Sequence, residues 1–278
     1  MGQVSYYVWL TKQFTSPINI AVEGSYDDCQ RIAKEILSDN PFERRIISLN
    51  SINWLRVMGQ VSYYVWLTKQ FTSPINVAIP SGNFGNAYSA WFGRSHGLKI
   101  NQIMCTTNVN DVLKRFIDSG ILEPQTTKPS VAPSMDIQIP SSLERLIYDF
   151  ESDATSFYQD LNEDKKATLS EGSREKLQHI FSSQTFDDEK IKEEIKTFND
   201  LFSIVFDPHT VTSLRMAVDI NSSVPTVAVA TASPEKFSNV ISPLIDDFPG
   251  SDIDQDEDFE TLEPQKDQII ESIKAKFD

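Results

Sequence analysis

An α/β fold built on a parallel sheet is what this sequence predicts, and three observations carry it. Ile75 to Ile79 is a short apolar run, Ala87 to Ser95 is patterned as a helix, and Leu98 to Cys105 alternates as a second strand. Strand, helix and strand with short connections make a βαβ unit, whose right-handed crossover leaves the strands parallel. Between strand and helix lies the third observation, the polar turn Ser81-Gly82-Asn83-Phe84-Gly85-Asn86. Ligands of such sheets bind beyond the carboxyl ends of the strands, where this turn falls. It reads either as a phosphate cradle, with backbone N–H groups at the helix start converging on an anion, or as a plain strand-to-helix turn. In the first reading Gly82 and Gly85 adopt positive φ and let the backbone approach the anion with no Cβ in the way.

From the N-terminus, Met1 to Asn19 is identical to Met58 to Asn76. Solenoid repeats recur at least three times and drift, so one identical copy points to a recent duplication or a misassembly. Two identical helices cannot fill one slot, and residues 1–19 are expected to pack peripherally. Ile20 to Val22 reads as a buried strand, and Ser25-Tyr26-Asp27-Asp28 as a capping box opening a helix. Cys29, Ile32, Ala33, Ile36 and Leu37 share one face of that helix, which makes Cys29 a small core residue rather than a nucleophile. Ile46 to Leu49 reads as a strand, and Asn50-Ser51 as the cap of a helix from Ile52 to Gln70 that is apolar on most sides, hence buried.

Gly97 is placed to stop the helix after the turn, and Asn110 to cap a helix carrying Val112, Leu113, Phe116 and Ile117 up to Gly120. Glu123 to Pro133 is a loop by its Pro, Thr and Ser content. Ser141 to Glu144 is a second capping box, and Glu151 to Asp200 continues as acidic amphipathic helices with a further box at Thr185 to Asp188. His179 has no ligand-spaced partner and reads as a helix-surface residue, so no metal is expected. Asp207 is placed to cap a helix with Pro208 at its first position. Val224 to Ala230 is the last strand, and Thr231-Ala232-Ser233-Pro234 turns into the helix of Phe237, Val240 and Ile241. Asp246 to Glu263 reads as a mobile acidic tail, and Gln265 to Phe277 as a short closing helix.

Composition narrows the function. A net charge of −15 over 278 residues argues against nucleic acid or an anionic membrane as partner, so an anionic ligand must be held locally. Two cysteines, Cys29 and Cys105, make no disulfide framework, no stretch reaches the length of a membrane span, and the start lacks the grading of a signal peptide. The expectation is a cytoplasmic protein.

Six separated motifs occur in the order found in one family. They are Gly24-Ser25-Tyr26-Asp27-Asp28-Cys29-Gln30, Leu49-Asn50-Ser51-Ile52-Asn53-Trp54, Pro80 to Asn86, Thr107-Asn108-Val109-Asn110-Asp111, Ser134-Met135-Asp136-Ile137 and Asp207-Pro208-His209-Thr210. In these the chain resembles the later portion of threonine synthase, a pyridoxal-phosphate enzyme of fold type II, the tryptophan synthase β-like architecture. The resemblance runs from about Ile20 to Phe237 and is shared with threonine synthase-like proteins. It implies a partial three-layer parallel sheet, with a small-domain remnant at 20–48, a cofactor-binding portion at 49–138 and 206–245, a helical insertion at 139–205, and the tail at 246–278.

By the same resemblance Gly82, Asn83, Phe84, Gly85 and Asn86 would hold the cofactor phosphate, and Thr231 would face the pyridine nitrogen. A hydroxyl there does not enforce a permanently protonated ring, which tunes the cofactor. Ser51 and Asn53 would lie near the substrate cleft. The family reaction takes O-phosphohomoserine and water to threonine and phosphate. Two departures stand out: Asn86 replaces the family's aspartate, and Ser233 replaces a histidine in Thr231-Ala232-Ser233-Pro234. The family's Schiff-base lysine lies upstream in a Phe-Lys-Asp motif, which does not occur in this sequence. The resemblance therefore implies a truncated threonine synthase that is inactive alone, the alternative being a catalytically dead phosphate-binding or pyridoxal-phosphate-binding module.

Overall fold

The structure, a computed structural model, describes residues 18–24, 26–48, 50, 53–248 and 259–276. Most of the duplicated segment, and with it the expectation of peripheral packing, lies outside the described residues, as do Ser25, Ser51 and Ile52. The first elements are β1 (Ile20–Val22), α1 (Tyr26–Asp39), α2 (Trp54–Thr68), β2 (Ile75–Pro80), α3 (Gly85–Ser95), β3 (Ile100–Thr107), α4 (Val112–Ser119) and β4 (Ile121–Leu122). There follow α5 (Leu143–Glu151), α6 (Thr155–Asp164), β5 (Ala167–Thr168), α7 (Glu171–Ile180), β6 (Phe181–Thr185), α8 (Asp188–Phe202) and α9 (Thr210–Asp219). The chain closes with β7 (Thr226–Ala228), α10 (Ser238–Ile241), β8 (Glu260–Leu262) and α11 (Lys266–Ala275).

The central sheet has the order β6-β3-β2-β7, and every pairing in it is parallel. β2 lies inside it, buried from Ile75 to Ile79, which is why its sequence is a continuous apolar run rather than an alternation. Val77 and Ile79 face a core shared with Val57 and Tyr64 of α2, Ala87 and Trp91 of α3 and Phe116 of α4. Ala78 and Met104 face the opposite core, filled by Ile191, Ile195 and Phe198 of α8 and Val211 and Met216 of α9. Helices thus cover both faces, as a parallel sheet requires.

Several expectations fail, each for a physical reason. Residues 46–48 are irregular, so the strand expected there is absent among the described residues. The cap of α2 is Asn53, whose Oδ1 accepts from the Leu55 N–H at 2.9 Å. α2 is not buried on most sides: Leu55 is 75% exposed and Trp66 64%, while Val57, Tyr64 and Thr68 carry the burial. Apolar composition all round had suggested full burial, but only one side of the helix meets the sheet. Within the acidic region, Phe181–Thr185 leaves the helical pattern and joins β3 as the outer strand of the sheet. Ser141, the capping residue of the expected box, donates its hydroxyl to Asn83 Oδ1 at 3.2 Å instead, and Ser142, which takes the position before α5, makes no capping bond and accepts from the Arg145 guanidinium at 2.9 Å. Part of the acidic tail is a strand, since β8 pairs in parallel with β1, and α11 packs on α1 beside it.

Candidate functional site

β2 delivers the chain to the glycine turn. Ser81 is still tied to the sheet by its N–H, which donates to the Thr106 carbonyl at 2.8 Å. The next regular backbone bond is the Tyr88 N–H to the Phe84 carbonyl at 2.8 Å, the first of α3. Among the described residues no acceptor stands against the N–H groups of Gly82, Asn83, Phe84, Gly85 or Asn86. Such a row of orphan donors at a helix start, reinforced by the helix dipole, suits an anion without any basic side chain.

The glycines do not serve it in the expected way. The glycines with positive φ among the described residues are Gly97 and Gly120, whereas in the turn it is Phe84 that takes the left-handed conformation, at φ 66°. That conformation costs a non-glycine residue about 1–2 kcal/mol. The Phe84 ring offsets it by burying almost completely, 5.5 Å from the Phe181 ring. Gly82 is needed because another strand of backbone presses on it: a Cβ there would stand 2.3 Å from the Ser134 carbonyl oxygen and 3.2 Å from Met135 Cα. The loop at 134–137 is therefore the wall of the cradle.

Side chains lock the turn from outside. Asn83 Oδ1 accepts from Gln30 of α1 at 2.5 Å and from the Ser141 hydroxyl at 3.2 Å, and its carbonyl accepts from the Ser142 N–H at 3.0 Å. Asn86 Oδ1 accepts from the buried Tyr64 hydroxyl of α2. Burial raises the Tyr64 hydroxyl pKa well above its ordinary value, so it stays a donor. Burial also pushes the Cys105 thiol, on β3 beside Ser81, up to about 12, which keeps it unreactive. Cys29, half-buried on α1, has its thiol raised in the same way.

The wall itself is held at two points. Asp136 accepts from Asn108 Nδ2 at 2.6 Å, Asn110 Nδ2 at 3.0 Å and the Ser130 N–H at 3.1 Å. Asn110 thus binds the loop, with Asn108, instead of capping α4, whose cap position is taken by Asp111 without a side-chain capping bond. At the other point the Ser134 N–H donates to Nε2 of His209, at 3.1 Å. His209 is buried and its Nδ1 contacts Asp207 Oδ1 at 2.8 Å. Burial raises the Asp207 carboxyl pKa, but its bonds from His209 and Thr210 outweigh that and leave it below the ordinary value.

Thr231 leaves the sheet next to the cradle, since β7 lies beside β2 with Ala228 level with Ala78. Its N–H donates to the Thr210 hydroxyl at 3.1 Å, and its side chain is exposed. Asn53 is spent on α2, with Nδ2 donating to the Ser48 carbonyl at 2.7 Å as well as the capping bond. The geometry thus gathers Gly82 to Asn86 with Thr231 and leaves Asn53 as a cap. A cleft of about 530 Å³ opens beside the turn, between Lys34, Trp54, Tyr88, Ser141 and Arg145. Sequence reasoning had missed Gln30, Tyr64, His209 and Ser134 as parts of the site, although all but Tyr64 fall within motifs already singled out.

No protein-family profile matches the sequence. The threonine synthase of Pseudomonas aeruginosa is 33% identical over 234 residues, covering 80% of this chain and 50% of its own length. That of Saccharomyces cerevisiae is 28% identical over 288 residues, covering 93% of this chain and 55% of its own. The chain spans about half the length of the curated relatives it matches. Among solved structures, the PLP-bound threonine synthase from Brucella melitensis superposes with a TM-score of 0.80 at 27% identity, over 97% of this chain and 62% of that one. Yeast threonine synthase follows with a TM-score of 0.75 at 25% identity, over 94% and 59%. An L-serine ammonia-lyase from Rhizomucor miehei, at a TM-score of 0.52 and 14% identity, shares the fold alone.

Proposed function

This chain is a partial-length member of the threonine synthase family, with the fold type II architecture, and on that premise we propose that its glycine turn holds the phosphate of pyridoxal 5'-phosphate. The observation that carries this reading is the row of orphan N–H groups from Gly82 to Asn86 at the start of α3. A phosphate supplies several acceptor oxygens at one point, which is what such a row lacks. The cofactor, when bound, supplies the electron sink of the family's reaction. The residues of this chain bind and orient it. Asn83 and Asn86 keep the turn in shape through Gln30, Ser141 and Tyr64, and Thr231 offers a neutral hydroxyl on the ring side.

Within a threonine synthase polypeptide of full length, this portion serves the conversion of O-phosphohomoserine and water to threonine and phosphate. The sequence contains no Phe-Lys-Asp motif, so the chain by itself binds the cofactor without fixing it covalently. Titration of the full chain with pyridoxal phosphate, followed by amide NMR, tests this. Saturable shifts confined to Gly82 to Asn86 and their neighbours are expected, with inorganic phosphate moving the same amides more weakly. Borohydride treatment is expected to leave no lysine adduct. Amides at 82–86 that stay put at saturating cofactor would overturn the assignment.

A further inference from the structure

The Ser134 wall of the turn and the Thr231 backbone are both tied, through one residue each, to one carboxylate. Asp207 is almost fully buried, and both of its oxygens are engaged. Oδ1 accepts from the His209 N–H at 2.9 Å, from His209 Nδ1 at 2.8 Å and from the Thr210 N–H at 3.4 Å. Oδ2 accepts from the Thr210 hydroxyl. Each of these partners passes the constraint on. His209 Nε2 accepts from the Ser134 N–H, and the Ser134 carbonyl is the atom against Gly82. Thr210 Oγ1 accepts from the Thr231 N–H.

A helix cap needs one oxygen and one or two N–H donors. Asp207 does more, and the cap position of α9 belongs to His209. The charge also sets the polarity of both relays. Facing a carboxylate, the imidazole must carry its proton on Nδ1, which leaves Nε2 as the acceptor that Ser134 requires. Facing the other carboxylate oxygen, the Thr210 hydroxyl must point its proton inward, which leaves a lone pair for Thr231.

We propose that Asp207 is the positioning residue of the cofactor site, holding the Ser134 wall through His209 and the Thr231 backbone through Thr210, so that phosphate end and ring end are set by one group. This rests on the reading of the cradle as a pyridoxal-phosphate site, and it goes beyond that reading in naming the residue that ties the two ends together.

The test uses amide exchange and histidine ring ¹⁵N NMR on the full chain, which has three histidines. In the wild type the His209 ring is expected as the Nδ1–H form. In Asp207→Asn, whose amide cannot accept on both atoms, exchange at Ser134 and Thr231 should speed up about tenfold together, as for loss of a buried hydrogen bond. Pyridoxal-phosphate affinity should fall by a similar factor, while exchange in α7 is unchanged. Thr210→Val should release Thr231 and leave Ser134 protected, and Thr210→Ser should restore the wild-type pattern. Should Asp207→Asn fail to fold, the two Thr210 variants decide. An Nε2–H ring in the wild type, unchanged exchange at Thr231 in Thr210→Val, or unchanged exchange at both amides in Asp207→Asn would overturn the proposal, as would unaltered cofactor affinity in a folded Asp207→Asn. If the wild type binds no pyridoxal phosphate, it is the reading of the cradle that fails, and the exchange measurements still decide the role of Asp207.

Discussion

Gly82→Ala is the sharpest perturbation of the turn. The added methyl would sit 2.3 Å from the Ser134 carbonyl oxygen, 3.0 Å from Ile137 Cδ1 and 3.2 Å from Met135 Cα. Ile137 can rotate away, but the carbonyl belongs to a backbone clamped by Asp136 on one side and His209 on the other, and it must retreat by about 1 Å to reach van der Waals distance. Overpacking of this kind costs about 1–3 kcal/mol. Against it stands a gain of about 0.4–1 kcal/mol from stiffening the unfolded chain, available because the residue does not have positive φ. The net expectation is a loss of about 1–2 kcal/mol, or a fall in Tm of about 2–8 °C for a chain of this size. Urea unfolding monitored by circular dichroism measures it, with Gly59→Ala as the control. Gly59 lies on the exposed side of α2 with nothing within 4 Å of its would-be Cβ, so the control should be stabilised by about 0.5–1 kcal/mol. Equal stabilisation of both variants would refute the account of Gly82 as a contact glycine.

Replacing Phe84 should invert the usual order of small residues: Phe84→Gly is expected to be about 1 kcal/mol more stable than Phe84→Ala, because glycine accepts φ 66° freely, and urea midpoints decide it. Tyr64→Phe removes the donor to Asn86 Oδ1 and should cost about 1–3 kcal/mol and broaden the amides at 85–87, visible in denaturation and NMR. The Asp207 carboxyl, held below its ordinary value when folded, stabilises the protein above the unfolded pKa of about 4, and that stabilisation is lost as pH falls through the folded value. The stability gap between wild type and Asp207→Asn should therefore be full at pH 7 and shrink below pH 4, in a series of urea melts. Trp66→Lys should stay within about 0.5 kcal/mol of wild type by the same measurement, since that ring is mostly solvent-exposed.

The βαβ unit and the turn were legible because each rests on local pattern: a run of apolar residues, a helical stripe, a glycine stop. β6 was not, because Ser182, Ser183, Gln184 and Thr185 are polar, and only Phe181 marks the strand. At the edge of a sheet one side of a strand stays unpaired, and such a sequence is tolerated. β8 escaped notice for a related reason, since three residues in an acidic stretch become a strand only when β1 lies alongside. In the site, the position of the turn after β2 was legible but its parts were misjudged. The special φ was assigned to glycine, where Phe84 carries it, and Asn110 was read as a cap, where it clasps Asp136 together with Asn108. His209 could not have been linked to Gly82 from sequence, since the connection runs through Ser134, which lies 75 positions from the histidine.

The pairing of β1 with β8 bears on how the molecule folds. Ile20 lies level with Glu260, so this ribbon closes a loop of roughly 240 residues, against roughly 26 for Val77 and Ile103 in the central sheet, a difference of about 2 kcal/mol in chain entropy. With three residues on each strand to repay it, the ribbon is a late event: the sheet around β2 and β3 condenses first, and the β1–β8 ribbon zips up last and opens first. Because Gln30 of α1 reaches Asn83 from that same unit, the last step of folding is also the one that latches the turn.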